Sequence, residues 1–296
     1  MSAIAPSLVK PVRASWSMAW LRSKEVIWRH PTAVLGGLVL VLLIGMALLA
    51  PYLGTVDPQA ISPVRRLRRP SEAHWFGTDM LGRDVYSRVV FGARISLAVG
   101  LSVAILATSI GLAIGLVTGF VRWLDGIVMR VMDGLMSIPG VLLAIALMAL
   151  TKASLENVII AITVTEVPRV VRLVRGLVLS LREQAYVDAA IASGTRTPLI
   201  LLRHILPNTI APLLVQGTYI CASAMLTEAI LSFLGAGTPL NIPSWGNIMA
   251  EGRALFQLAN YLIFFPGLFL ALAVLSVNLL GDGMRDALDP RLARNM

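Results

Sequence analysis

Three carboxylates, Asp133, Glu166 and Glu228, lie in or beside long apolar stretches. An ionisable side chain there is costly and serves either a pathway or a contact between helices. Asp133 follows Arg130 by three residues and Glu166 precedes Arg169 by three, so each acid can pair across one helical turn. Glu228 has no such neighbour: either it is hydrogen-bonded inside the fold or it faces a pathway or partner helix. None of these acids has the company that covalent or metal chemistry needs. His30, His74 and His204 are far apart without ligand spacing, and Cys221 is the single cysteine. Only His204 comes close to an apolar run, so a nucleophile with a membrane-embedded base is not legible. The lysines are Lys10, Lys24 and Lys152, and none follows a glycine-rich loop, so this chain cannot hold ATP in the P-loop manner. If ATP drives the protein, another subunit carries the ATPase.

Two further stretches carry dense polar chemistry. HWFGTDMLGRDVYSRVVFGARISL (74–97) places Thr78 or Asp79 to cap a helix, and Asp84 four residues before Arg88 to pair with it. With Arg83 these residues read as a rigid lead-in to an apolar helix rather than as a substrate contact. EQAYVDAAIASGTRTPLILLRHILPN (183–208) interrupts the apolar chain with charge, glycine and proline. Ser180 and Glu183 fit a capping box, which predicts a helix over about 181–192, unless it continues the preceding span. Gly194 suits a left-handed helix end, and Thr197-Pro198 reads as an N-cap followed by a first-turn proline, opening a second helix over about 198–206. Ala185, Ala189, Ala190 and Ala192, beside Tyr186 and Val187, give the first helix a surface another protein can approach closely.

These residues must be positioned by membrane-spanning helices. The 296 residues are 57% hydrophobic and 14% charged, with a mean hydropathy of +0.79, where a soluble domain has about a quarter charged residues. About 20 apolar residues cross a bilayer core. Uncharged runs of that order occur at 33–53, 95–121, 134–151, 205–227 and 254–281. A sixth, at about 154–172, carries Glu166 and Arg169 and continues out of the membrane through Arg172 and Arg175. The first run is too long for a signal-peptide core and no clear cleavage site follows it, so it reads as a retained anchor. With six spans, 16 of the 25 Lys and Arg residues fall on the side of the termini and nine on the other, which predicts cytoplasmic termini. The net charge of +9 is then that of loops facing an anionic leaflet, not of a nucleic-acid binder. Trp16 and Trp20 predict an interfacial helix within the N-terminal segment 1–32. Residues 54–94 form the long outer loop, 95–281 a five-helix core, and 282–296 a cytoplasmic tail. Pro139, Pro168, Pro207, Pro212 and Pro266 kink or end helices.

The order of motifs resembles one family. Asp188-Ala189-Ala190, Gly194 and Ile205-Leu206-Pro207 are similar to the EAA loop of ABC importer permeases, with Asp where the family's motif has Glu. The 74–97 stretch resembles the GTD-x-x-GRD-x-x-SR signature of the dipeptide/oligopeptide (peptide/nickel) group, and 231–249 and 279–292 resemble its other signatures. Together they resemble the C-type inner-membrane subunit over about 15–292.

The resemblance implies an all-α polytopic protein with six transmembrane helices, the type I ABC importer transmembrane domain with cytoplasmic coupling helices. It implies no catalysis by this chain. A B-type permease completes a heterodimer, two cytosolic ABC ATPases bind ATP and Mg, and a periplasmic or lipid-anchored binding protein delivers short peptides, or alternatively nickel or another small solute. In the family the EAA loop, here Glu183, Tyr186, Asp188, Ala189, Ala190, Gly194, Arg203 and Pro207, docks in a groove of the ATPase. The implied location is the bacterial inner membrane. A stand-alone secondary transporter is the distant alternative, but it should show internal repeats with paired broken helices, and no convincing repeat is visible.

Overall fold

A computed structural model describes residues 31–288. Among them there is no β-strand; the elements are helices joined by turns. In chain order they are α1 (Pro31–Leu48), α2 (Val85–Phe120), α3 (Arg122–Met136), α4 (Gly140–Ala149), α5 (Leu155–Leu181), α6 (Ala185–Ala192), α7 (Thr197–Ile200), α8 (Leu206–Phe233), α9 (Trp245–Gly252) and α10 (Tyr261–Leu288). The expected interfacial helix around Trp16 and Trp20 lies outside the described residues, as do the end of the 279–292 motif and most of the expected tail.

Among the described residues four helices are long and apolar enough to cross a membrane: α1, α2, the continuous run Thr197–Phe233, and α10. Helices α3 and α4 meet that measure only as one pair, bent by 88°. The bend falls at Pro139, which is extended at φ −53°, ψ 128° just before Gly140. The uncharged run 134–151 is therefore a bent connection followed by a ten-residue helix, too short alone for a core of about 30 Å. The run 254–281 is also broken: the chain turns at Arg253–Leu255 and its long helix starts at Tyr261. Helix α2 begins at Val85, ten residues ahead of its uncharged run, because Asp84 caps it by accepting from the Ser87 amide at 2.8 Å.

Helix α5 has Glu156, Glu166, Arg169, Arg172 and Arg175 along its length, which keeps it out of the four apolar helices above. It is held by α2 at very close range. A Cβ on Gly111, Gly115 or Gly119 would sit 2.5, 2.7 and 2.6 Å from the Cβ atoms of Val170, Val174 and Val178. Both sets repeat every four residues, so one glycine stripe receives one valine ridge. A second core surrounds the fully buried Trp245 at the start of α9, where α1, α2, α8 and α10 meet. Its indole Nε1 donates to the Val89 carbonyl at 3.0 Å.

Candidate functional site

The segment 183–207 is an exposed, jointed shelf at one end of the bundle. Helix α5 runs through Ser180 to Leu181, and the Arg182 amide still donates to Val178 at 2.9 Å. Ser180 is therefore helical and the expected capping box does not form. Helix α6 starts at Ala185 instead, with Gln184 as an N-cap whose side chain makes no capping bond. It ends as glycine permits. Gly194 has φ +74°, its amide donates to Ile191 at 2.9 Å, and the Thr195 amide donates to Ala190 at 3.0 Å. These are the paired bonds of a left-handed helix end.

The second expected helix is not separate. Arg196, not Thr197, is the N-cap, and α7 passes through a π-helical turn, Leu201–Ile205, straight into α8. Pro207 supplies the reason. It has no amide to give, and its ring crowds the carbonyl of residue 203, so the helix widens there; the Leu206 amide reaches back to Leu201. Val187, Ile200 and Ile205 are buried and pin the shelf to the bundle. Glu183, Tyr186, Asp188, Ala189, Gly194, Arg203 and Pro207 are exposed, and Ala190 is half-buried. Ile191, Leu199 and Leu202 are exposed beside them. The arrangement offers a mixed apolar and charged surface.

At the other end, the 74–97 residues build an ion network. Asp79 is fully buried; its Oδ1 accepts from the Leu81 and Arg83 amides, and its Oδ2 from Arg83 Nε at 2.6 Å and Arg88 Nη1 at 2.7 Å. Both arginines also reach Glu251 in α9, with contacts of 2.6 Å from Arg83 Nη2 and 2.6 and 2.9 Å from Arg88. The expected Asp84–Arg88 pair does not form, because Asp84 is occupied by Ser87 and by His74 at 3.0 Å. Asp84 is the helix cap, not Thr78 or Asp79; Thr78 instead bonds the loop to itself through Arg65 and Arg68. Glu251 was not singled out by sequence reasoning. Its signal was available: with Arg253 it is an isolated charge inside an otherwise apolar stretch.

The three acids in apolar surroundings have distinct partners. Asp133 pairs with Arg172 Nη2 at 2.7 Å across to α5, rather than with Arg130 on its own helix, and Asp125 pairs with Arg175 alongside it. Two acids eight residues apart on α3 thus face two arginines on antiparallel α5, a pairing that single-helix spacing could not reveal. Glu166 does pair with Arg169, at 3.1 Å, and also accepts from Ser223 of α8 at 3.2 Å. Glu228 has a partner on its own helix after all: Ser232 donates to Oε1 at 2.9 Å, and Ser244, the cap of α9, donates to the same oxygen at 2.8 Å. Glu228 is fully buried in this chain's own packing. Glu166 and Arg169 instead line a cleft of about 260 Å³ at the Pro139 bend, with Thr165, Ser223 and Thr227. Among the described residues no group of three or more His, Cys, Asp or Glu is placed to hold a metal ion.

Known proteins share this pattern. The family profile described as binding-protein-dependent transport system inner membrane component matches residues 107–294. A second, the N-terminal TM domain of oligopeptide transport permease C, matches 15–70. The probable peptide ABC transporter permease protein y4tQ of Sinorhizobium fredii is 56% identical over 267 residues, 90% of this chain and 91% of that protein. The dipeptide transport system permease protein DppC of Alkalihalophilus pseudofirmus is 40% identical over 92% of this chain and 90% of its own length. The glutathione transport system permease protein GsiD of Escherichia coli is 41% identical over 97% and 95%. Among solved structures, an inward-facing MetNI methionine ABC transporter chain superposes with a TM-score of 0.59 at 20% identity, covering 68% of this chain and 96% of that one. That likeness establishes the shared helical fold.

Proposed function

Because the chain belongs to the family of binding-protein-dependent transport system inner membrane components, we propose that it forms half of an importer pathway for short peptides. The substrate reading is supported by the relatives, which are named for peptide, dipeptide and glutathione transport. A B-type permease supplies the other half. Two cytosolic ATPases bind and hydrolyse MgATP, and a periplasmic or lipid-anchored binding protein presents the substrate. The protein spans the bacterial inner membrane six times, α5 and the α3–α4 pair included, with both termini in the cytoplasm as the distribution of basic residues suggests. This chain is not itself an enzyme.

The observation that carries the mechanism is the exposed shelf at 183–207. ATP-driven closure of the two ATPases moves α6, and the shelf transmits that motion to two long helices at once. On one side α6 is three residues from the end of α5; on the other the Gly194 joint leads through the π turn into α8. The two helices that receive the motion are the two that supply Glu166, Arg169, Ser223 and Thr227 to the cleft. Movement at the shelf therefore reshapes the polar cleft, as alternating access requires.

Gly194 tests the coupling. Among the described residues nothing lies within 4 Å of the place a Cβ would occupy, so within this chain the obstacle to a side chain is its φ of +74°. Gly194→Val should leave insertion and assembly intact, retain ATP hydrolysis and lower peptide uptake per ATP at least several-fold. Gly194→Asn, which tolerates the left-handed region, should fall between. Uptake per ATP at the native ratio in Gly194→Val would remove the shelf from the coupling path.

A further inference from the structure

The cleft at the Pro139 bend is polar where the membrane is not. Glu166 lies 11 residues from the α5 start at Leu155, and Ser223 ten residues from the α8 end at Phe233. At about 1.5 Å per residue each lies roughly 15–17 Å from that helix end. Arg169 is one turn further along, with 46% of its side chain exposed. A guanidinium within a span faces lipid acyl chains only at a cost, and the cleft offers this one a polar alternative. The contrast within the molecule is informative. The groove between α1, α2 and α8 is lined almost wholly by aliphatic side chains and suits contact with hydrocarbon, whereas the Glu166 cleft does not.

Arg169 is held but not consumed. Its Nη1 donates to Glu166 at 3.1 Å, and its guanidinium lies 5.3 Å from the Tyr219 ring centroid. Glu166 is itself buried and fixed from the other side by Ser223. The remaining guanidinium donors have no other protein partner among the described residues. Thr165 and Thr227, whose hydroxyls donate to carbonyls of their own helices, keep acceptor lone pairs on the cleft wall. The assembly is a cation positioned by an acid and an aromatic face, beside hydroxyls, in a recess that opens outward from the chain.

We propose that Arg169 is a substrate-contact residue that receives the C-terminal carboxylate of a peptide in transit, with Glu166 and Tyr219 positioning its guanidinium. This rests on the peptide-importer reading above. A planar guanidinium matches a carboxylate in a two-pronged geometry that an ammonium cannot reproduce. The free carboxylate is also the one anionic group that peptides of every side-chain composition share, so a cation here serves a pathway without restricting sequence. The Glu166 partner keeps the empty cleft electrically balanced and limits how tightly the carboxylate is held, so that the peptide leaves again.

The test uses the complete reconstituted transporter with its binding protein, and compares uptake of one peptide with a free C-terminus and the same peptide amidated. Every variant is measured with the same saturating binding protein, so capture outside the membrane is constant and only changes in the uptake ratio report on this chain. In Arg169→Gln the ratio of free to amidated uptake should fall about tenfold, the change that about 1.4 kcal/mol produces, and Arg169→Lys should restore only part of it. An unchanged ratio in Arg169→Gln overturns the proposal, whatever the absolute rate. Loss of the second permease on purification of Arg169→Gln, while Arg169→Lys assembles with an unchanged ratio, also overturns it and makes the residue an interface cation. If the unmutated transporter takes up neither peptide, the peptide reading itself fails, and that result is distinct from both.

Discussion

At the scale of single residues, the fold turns on a few buried ionic and hydrogen-bonded groups rather than on a reactive centre. Glu228 shows how such a group ties elements together through one oxygen, while its buried Oε2 has no partner among the described residues. Its Oε1 accepts from Ser232 and Ser244, and that oxygen joins α8 to the first turn of α9. Gly237 and Gly246 close around the same point: a Cβ on Gly237 would lie 2.1 Å from the Ser232 hydroxyl, and one on Gly246 would lie 2.7 Å from Ala229 Cα. Gln at position 228 keeps an accepting oxygen in a side chain of nearly the same shape, so Glu228→Gln should assemble and unfold near the native temperature. Glu228→Ala strands two buried hydroxyls and leaves a void, at a cost of about 2–5 kcal/mol. Thermal unfolding of the two variants in detergent separates these outcomes; equal losses would contradict the bonding described. Spacing alone found Glu166–Arg169 because both residues share a helical turn. It missed Arg172–Asp133 and Arg88–Glu251 because those partners lie 39 and 163 residues apart, a separation that only packing brings together.

At the scale of elements, the contact between α2 and α5 sets the geometry of the cleft. Helix packing in lipid gains little from excluding water, so close approach through small residues has to supply the attraction. Gly111, Gly115 and Gly119 admit Val170, Val174 and Val178 on α5, one to three turns beyond Glu166. Gly115→Leu should push the helices apart, lower thermal stability by roughly 1–3 kcal/mol and reduce transport with it. Gly126→Leu is the matched control, since nothing lies within 4 Å of its Cβ position; equal losses from the two would show that the close approach is not what matters. Hydropathy located the apolar helices well because burial in lipid imposes long uncharged runs. It misplaced ends wherever a cap, a proline or a turn decided them. Asp84 starts α2 early, Pro139 splits 134–151, and the turn around Arg253–Leu255 divides 254–281. The 183–207 shelf was legible as a hinge at Gly194. Its continuity with α8 was not, because a π turn leaves no pattern in residue spacing.

At the scale of the whole molecule, the described residues place an ion network at one end, an exposed shelf at the other and a polar recess between them. One end is braced by two arginines shared between Asp79 and Glu251. The opposite end exposes the jointed shelf, and the two helices that leave it carry the recess. The central claim is that this chain moves peptide only as part of an ATP-driven assembly. The most direct measurement is uptake of a labelled short peptide into proteoliposomes, with the chain alone and with the B-type permease, both ATPases and the binding protein. The account predicts uptake only for the full set and only with MgATP. Peptide accumulation by the chain alone, without ATPase, would contradict it.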